Sequence, residues 1–167
     1  MMLSRRLILA LCVLWTCMAS GAVLAQQTQS AEPPPSPAPS SAPATHQRMP
    51  SPPGAYVYIG WPTDGTVLRS THFKVWFGTR GFGVAPAGTN VPNTGHHHLL
   101  IDSELPPFDQ PIPNDKRHLH FGGGQTETFI DLPPGRHTLQ LLVADGDHVP
   151  QDPPLYSKRI TIYVRGQ

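Results

Sequence analysis

Five histidines on three separate stretches of the chain are the residues most able to do chemistry. His96 and His98 form one pair spaced by two residues, His118 and His120 form another, and His148 lies further along in a polar segment. Imidazole nitrogens favour Zn(II), Cu(II) or Ni(II) over hard cations, which take oxygen ligands. The pattern therefore predicts a transition-metal site, with Cu(II) or Zn(II) as the favoured ion.

The spacing within each pair has a structural consequence if the histidines lie on β-strands. Residues two apart on a strand point to the same face, and neighbouring strands lie about 4.8 Å apart. His96 and His98 would then point together, as would His118 and His120, and the two pairs could surround one ion if their strands meet. The intervening His97 would face the core.

The remaining histidines and the nearby carboxylates are not predicted to bind the ion directly. Single histidines on strands usually make ordinary hydrogen bonds, which is the interpretation for His46, His72 and His137. Carboxylates near a metal site can accept the second N–H of a ligating imidazole. Three acidic residues are candidates for that role: Glu127, Asp145 and Asp147.

The segment that carries the histidines predicts an all-β fold. Short β-branched and aromatic runs alternate with Gly, Pro, Asn and Asp, and helical periodicity is absent. This pattern favours a single immunoglobulin-like antiparallel β-sandwich of about seven strands. The predicted strands are 56–59, 72–77, 96–101, 118–121, 126–132, 137–144 and 156–164.

The predicted strand order brings the histidines to one end of the sandwich. When successive strands are antiparallel, every second connection emerges at the same end. The long loop 78–95, the turn 122–124 and the loop that contains His148 would share that end. Long loops of this kind are often functional, so the 78–95 loop is expected to form a lid or rim beside the histidines.

The N-terminus has the pattern of an export signal. Arg5 and Arg6 precede the apolar run 7–15, and small residues follow up to Ala25. A positive start, a short apolar stretch and a small-residue cleavage site are typical of a secretory signal peptide. Residues 1–25 are therefore predicted to be removed, which places the mature protein in the periplasm or outside the cell.

A proline-rich stretch separates the signal from the folded part. Residues 26–54 consist mainly of Pro, Ala, Ser and Gln, with almost no large apolar side chain. Such a stretch cannot bury enough surface to offset its ordering entropy, and proline stiffens it. Residues 26–54 are predicted to be a disordered tether, and residues 55–167 to be the β-sandwich domain.

Cysteine usage and charge exclude several functions. Both cysteines, Cys12 and Cys17, lie in the predicted signal peptide, so the mature protein would have neither disulfides nor thiolate metal sites. The formal net charge is only +1, which gives no basic field for nucleic acid or for an anionic membrane. Nucleic acid and, after signal cleavage, membrane are therefore not expected partners.

Two enzyme types and one binding function remain as alternatives. A superoxide-dismutase-like site also builds imidazole ligands on a β-sandwich, but its ligand spacing differs. A cupin-like oxygenase needs a carboxylate soon after a His-x-His pair, and Glu127 is too far from His120. The sequence thus favours a binding protein over an enzyme. The main alternative is a metal-independent module that binds an envelope glycan or protein partner.

Several motifs resemble an uncharacterised family of secreted bacterial domains known only as a domain of unknown function. They cover nearly the whole predicted domain: 83–88, 93–102, 118–122, 124–127 and 137–141. The resemblance supports the domain assignment and implies no activity. The family pattern has a histidine where this chain has Gln151, which implies a weaker or smaller site here if that histidine is a ligand.

Overall fold

The computed structural model describes residues 47–166 of the 167-residue chain. The predicted signal peptide and most of the predicted tether lie outside the described residues. Within residues 47–166 no helix is long and apolar enough to span a membrane. The described residues form nine strands: β1 Tyr56–Trp61, β2 Val67–Leu68, β3 His72–Arg80, β4 Gly83–Val84, β5 Thr94–Ile101, β6 His118–His120, β7 Glu127–Asp131, β8 Gly135–Ala144 and β9 Ile160–Val164.

The strands form two sheets that enclose one apolar core. One sheet has the order β1-β3-β7, and the other has the order β2-β9-β8-β5-β4, with β6 also paired to β5. Val75 and Phe77 of the first sheet pack with Leu99, Leu141 and Ile162 of the second. All pairings are antiparallel except the two-residue pairs of β2 with β9 and of β4 with β5. The prediction of an all-β antiparallel sandwich is confirmed.

Strand boundaries differ from the prediction mainly at the last strand. It begins at Ile160 rather than at residue 156, because the chain is irregular before that point. Ser157 both donates its N–H to the Leu141 carbonyl and accepts the Leu141 N–H through Oγ. A side-chain oxygen thus takes the place of a backbone partner. The predicted 78–95 loop is also shorter, because β3 continues to Arg80 and β4 forms within the loop.

The fourth predicted strand joins the sheet of the third, which positions the histidines. β6 pairs antiparallel with β5, so that His98 lies opposite His120 and Leu100 lies opposite His118. On its other edge β5 pairs with β8, with His96 opposite Ala144. The two histidine-bearing strands are therefore direct neighbours. The predicted strand directions alone could not show this.

The outer face of the larger sheet is covered by a second, smaller apolar cluster. Leu100, Leu142 and Ala144 of the sheet pack there against Ile112, with Leu105 and Phe108 at its margin. Ile112, Leu105 and Phe108 belong to the long connection 102–117 between β5 and β6. Because strand residues alternate in direction, His96 and His98 share this covered outer face with Leu100.

The last residues of the predicted tether are packed on the domain. The Arg48 guanidinium donates to the backbone carbonyl of Pro150 at 2.9 Å and to that of Gln151, and Ser51 and Asp152 are joined by a backbone hydrogen bond of 3.1 Å. These bonds satisfy polar groups that a disordered segment would leave to water. The contacts of the folded domain therefore extend to Arg48, on the N-terminal side of the predicted boundary after residue 54.

Candidate metal centre

Three imidazoles converge on the covered face of the larger sheet. His96 and His98 project from β5, and His120 projects from the end of β6. Potential ligand atoms of the three side chains all lie within 4.8 Å of one another. His96 and His98 are both 0% exposed, and His120 is half-buried. Strand alternation aligns the first two rings, and the β5–β6 register brings the third beside them.

The ring nitrogens have the spacing of ligands around one ion. Nε2 of His96 and Nε2 of His98 are 3.1 Å apart. Two nitrogens bound at about 2.0–2.1 Å to one ion would be separated by about 2.8–3.4 Å in square-planar or tetrahedral geometry. The two buried rings therefore need little movement to share an ion.

Several buried nitrogens in this group have no hydrogen-bond partner. They are Nδ1 of His96, Nδ1 of His98 and Nε2 of His120. A buried polar atom without a partner costs about 1–3 kcal/mol, so native proteins rarely keep several together. An ion bound through Nε2 of the three rings would satisfy the Nε2 of His120, for which hydrogen bonding provides no partner.

Burial also keeps the imidazoles in the neutral form that binds metals. It lowers the pKa of His96 to about 4, and the neighbouring rings of His148 and His120 add to the effect. Burial, followed by the other imidazoles, lowers the pKa of His98 to about 2. Burial and the His148 ring also lower the pKa of His120. Protons therefore compete little with a metal ion at neutral pH.

His148 lies against all three rings from the side of the loops. Its ring centroid is 4.8 Å from that of His120, 5.0 Å from that of His96 and 6.0 Å from that of His98. It stands outside the group of ligand atoms that are mutually within 4.8 Å. The structure thus brings four of the five predicted ligands together, with His148 as the outer member.

The fifth predicted ligand, His118, is separated from this group. Its Nδ1 lies 2.9 Å from the Asp115 carboxylate and its Nε2 lies 2.9 Å from the Ser103 hydroxyl. Both ring nitrogens are therefore occupied, whereas a metal ligand must offer a lone pair. Although His118 and His120 share a strand, β6 is only three residues long, and the chain before it directs His118 toward the 102–117 segment.

Two of the three predicted outer carboxylates lie at the same end as the rings. Asp145 is buried, and its charge acts on His96 in the direction that raises the pKa, against the larger effect of burial. Asp147 accepts a hydrogen bond from the Asn90 side chain at 3.1 Å. Glu127 was wrongly assigned to this role, since it lies on the other sheet and pairs with Lys74 at 2.8 Å.

The histidines predicted to be ordinary have ordinary surroundings. His72 pairs with Asp131 at 2.9 Å, and His137 lies 2.7 Å from Asp102 and 2.9 Å from the Pro133 carbonyl. His97 faces the core as predicted, with its ring centroid 4.8 Å from that of Phe77. His46 lies outside the described residues.

Gln151 has a structural role away from the three rings. With its amide nitrogen directed toward the Val143 carbonyl, it donates at 3.0 Å while its oxygen accepts the Asp145 N–H at 3.1 Å. The side chain lies beside Gly95, where a Cβ atom would be 2.8 Å from the Gln151 amide group. Gly95 alternates with His96, so this side chain lies toward the opposite face of β5.

Gly122, predicted only as part of a turn, lies against the His120 ring. A Cβ atom there would be 2.4 Å from Cε1 and 2.6 Å from Nε2 of His120. The missing side chain lets the ring lie against the backbone. The Gly122 carbonyl also accepts the Ala87 N–H at 2.9 Å, which places the predicted rim loop beside this ring. The signal in the sequence was a glycine two residues after a candidate ligand.

Replacing Gly122 with alanine is expected to weaken metal binding while every histidine stays in place. The added methyl group must displace the His120 ring, and misplaced ligands or their supports cost about 10- to 100-fold in affinity. Isothermal titration with Zn(II) measures the effect. Gly123→Ala is the matched control, because its Cβ would meet only the Gln125 side chain at 3.1 Å. Equal affinities of the two variants would contradict the expectation.

Comparison with known proteins shows the family of this chain. A family model described as a domain of unknown function (DUF4399) matches residues 75–165, more than half of the chain. Comparison with curated proteins finds no match. Among solved structures, the chain is similar to fibronectin(III)-like modules of Clostridium thermocellum CbhA, with 14% identity, 66% of this chain and 96% of that chain covered, and a TM-score of 0.38.

Proposed function

The chain belongs to the DUF4399 family, a domain of unknown function, and we propose that it is an exported envelope protein that binds Cu(II) or Zn(II) through His96, His98 and His120. The observation that carries the proposal is the convergence of three buried imidazoles whose ligand atoms lie within 4.8 Å of one another. The 3.1 Å separation of Nε2 of His96 and Nε2 of His98, and the buried Nε2 of His120 without a hydrogen-bond partner, also support it.

The donor set determines which ions are favoured. Three imidazoles without a thiolate suit Zn(II) and Cu(II), whereas Mg(II) and Ca(II) require oxygen ligands. Three protein nitrogens also leave a further coordination position, as at exchangeable or catalytic zinc sites. The proposed role is metal binding, and export follows from the signal-peptide pattern of residues 1–25.

A second candidate function rests on a different surface. The outer face of the three-stranded sheet exposes the aromatic side chains of Tyr56, Tyr58, Trp76 and Phe129. Tyr58 meets Trp76 edge to face, with centroids 6.3 Å apart. Clustered exposed aromatic rings are typical of recognition surfaces. This face would serve the metal-independent module that binds an envelope glycan or protein.

Metal titration of the untagged protein separates the two functions. The protein is expected to be retained on a copper or nickel resin, and Zn(II) or Cu(II) at 100 times the dissociation constant should add about 2.7 kcal/mol to its unfolding free energy. Both effects should disappear in the His96→Ala/His98→Ala variant and persist in His72→Ala, which changes an exposed histidine on the other sheet. A melting temperature indifferent to both metals would favour the aromatic-face function.

A further inference from the structure

His148 stands at the centre of a tightly bonded turn. Its φ angle is +68°, a conformation uncommon for residues other than glycine. The Asp145 carboxylate accepts the N–H of Asp147 at 2.9 Å and that of Val149 at 3.0 Å, so both neighbours of His148 are fixed by one side chain. The His148 N–H also donates to the Asp145 carbonyl at 3.1 Å. The turn therefore presents this imidazole in a defined direction.

Two other loops hold this turn over the three rings. The Gly88 N–H donates to the Gly146 carbonyl at 2.9 Å, and the Gly146 N–H donates to the Asn90 side chain at 3.0 Å. From the other side, the Ile112 N–H donates to the His148 carbonyl at 2.9 Å. Because Ile112 is part of the cluster that covers the outer face, the turn is joined to the cover of the site.

The four imidazoles thus form an inner and an outer pair. His96 and His98 are fully buried on β5, which is paired along both edges, whereas His120 and His148 are half-buried at a strand end and on a turn. An ion that enters from solvent meets the outer pair first. The inner pair can then complete its coordination with little rearrangement.

We infer that His148 is the fourth ligand and the exchange ligand, the group whose binding and release controls how fast an ion leaves the site. The inference rests on the proposed function and adds to it a four-imidazole shell. Rotation of the His148 ring about its side-chain bonds is the movement required, because its centroid already lies within 6.0 Å of each of the other three. Such a site suits an ion that is taken up and handed on.

The experiment compares the unmodified protein with His148→Asn. Asparagine tolerates a positive φ, so the turn is kept while the imidazole is lost. His148→Gly, which also accommodates this φ, serves as a second replacement, and His72→Asn is the control for the same chemical change elsewhere. Affinity is measured by Zn(II) titration, and dissociation is measured by stopped-flow transfer of Zn(II) to a chelating dye.

Loss of one ligand in four is expected to weaken affinity by at least about tenfold, mainly through faster dissociation. Both His148 replacements should show this change, and His72→Asn should not. Unchanged affinity and dissociation rate in the two His148 variants, with binding by the unmodified protein intact, would overturn the inference alone. Failure of the unmodified protein to bind Zn(II) or Cu(II) would instead overturn the proposed function.

Discussion

Replacing His96 and His98 together by leucine is expected to raise the unfolding free energy of the metal-free protein by about 1–3 kcal/mol and to abolish its stabilisation by metals. Both side chains are fully buried, and each has an Nδ1 without a hydrogen-bond partner. Ala144 and Leu142 lie opposite them on β8, so leucine meets an apolar surface on that side, while His120 and His148 lie on the other sides of the two rings. The two histidines are thus expected to lower the stability of the metal-free protein.

His97→Leu is the matched control for this effect. His97 is also buried, and neither of its ring nitrogens has a hydrogen-bond partner, although the Gln125 backbone lies close enough to oppose the lowering of its pKa by burial. It faces the opposite side of β5, against Phe77. This variant should also gain stability, yet it should keep the full response to Zn(II). Urea unfolding with and without metal measures both quantities, and a destabilised metal-free double variant would contradict the account.

The metal-free protein is expected to lose stability steeply as the pH falls from 6.5 toward 4. Burial lowers the pKa of His96 and of His97 to about 4 and that of His98 to about 2, whereas in the unfolded chain each is near 6.5. Below pH 6.5 the unfolded state therefore binds more protons than the folded state, so acid favours unfolding. Three such groups give a slope of up to about 4 kcal/mol per pH unit.

Urea unfolding at pH 7, 6 and 5 measures this slope. In this pH range the change in stability comes from histidines, because the carboxylates titrate at lower pH. Burial raises the pKa of Asp102, but the hydrogen bonds from His137 and Thr138 and the charges of His137 and Arg117 together lower it, so its stabilising contribution is lost only below about pH 4. His97→Leu should reduce the slope by the contribution of one titrating group, because the variant has one buried histidine fewer. A stability that is constant between pH 7 and pH 5 would contradict the assigned environment of these histidines.

The directions of the histidine side chains could be predicted from the sequence where strand periodicity determines them. The alternation of His96, His97 and His98 correctly placed the first and third on one face and the second in the core, because side-chain direction on a strand has a period of two. The antiparallel order also correctly brought the segment with His148 to the same end as His96. These features depend only on local pattern and strand direction.

The prediction failed where contacts outside a strand decide the outcome. His118 and His120 share a strand face, but Asp115 and Ser103 occupy both nitrogens of His118, and neither partner was visible from spacing. Glu127 lies on the other sheet because the chain crosses between sheets after the Gly122–Gly124 turn. The apolar cover around Ile112 was missed because its residues lie in a segment without strand periodicity.

The most direct test of the shared site is the structure of zinc-loaded protein, with anomalous scattering recorded at the zinc edge. We expect one strong anomalous peak bonded at about 2.0–2.1 Å to ring nitrogens of His96, His98 and His120. An empty position between these rings, in crystals whose zinc is bound elsewhere on the protein, would contradict the account.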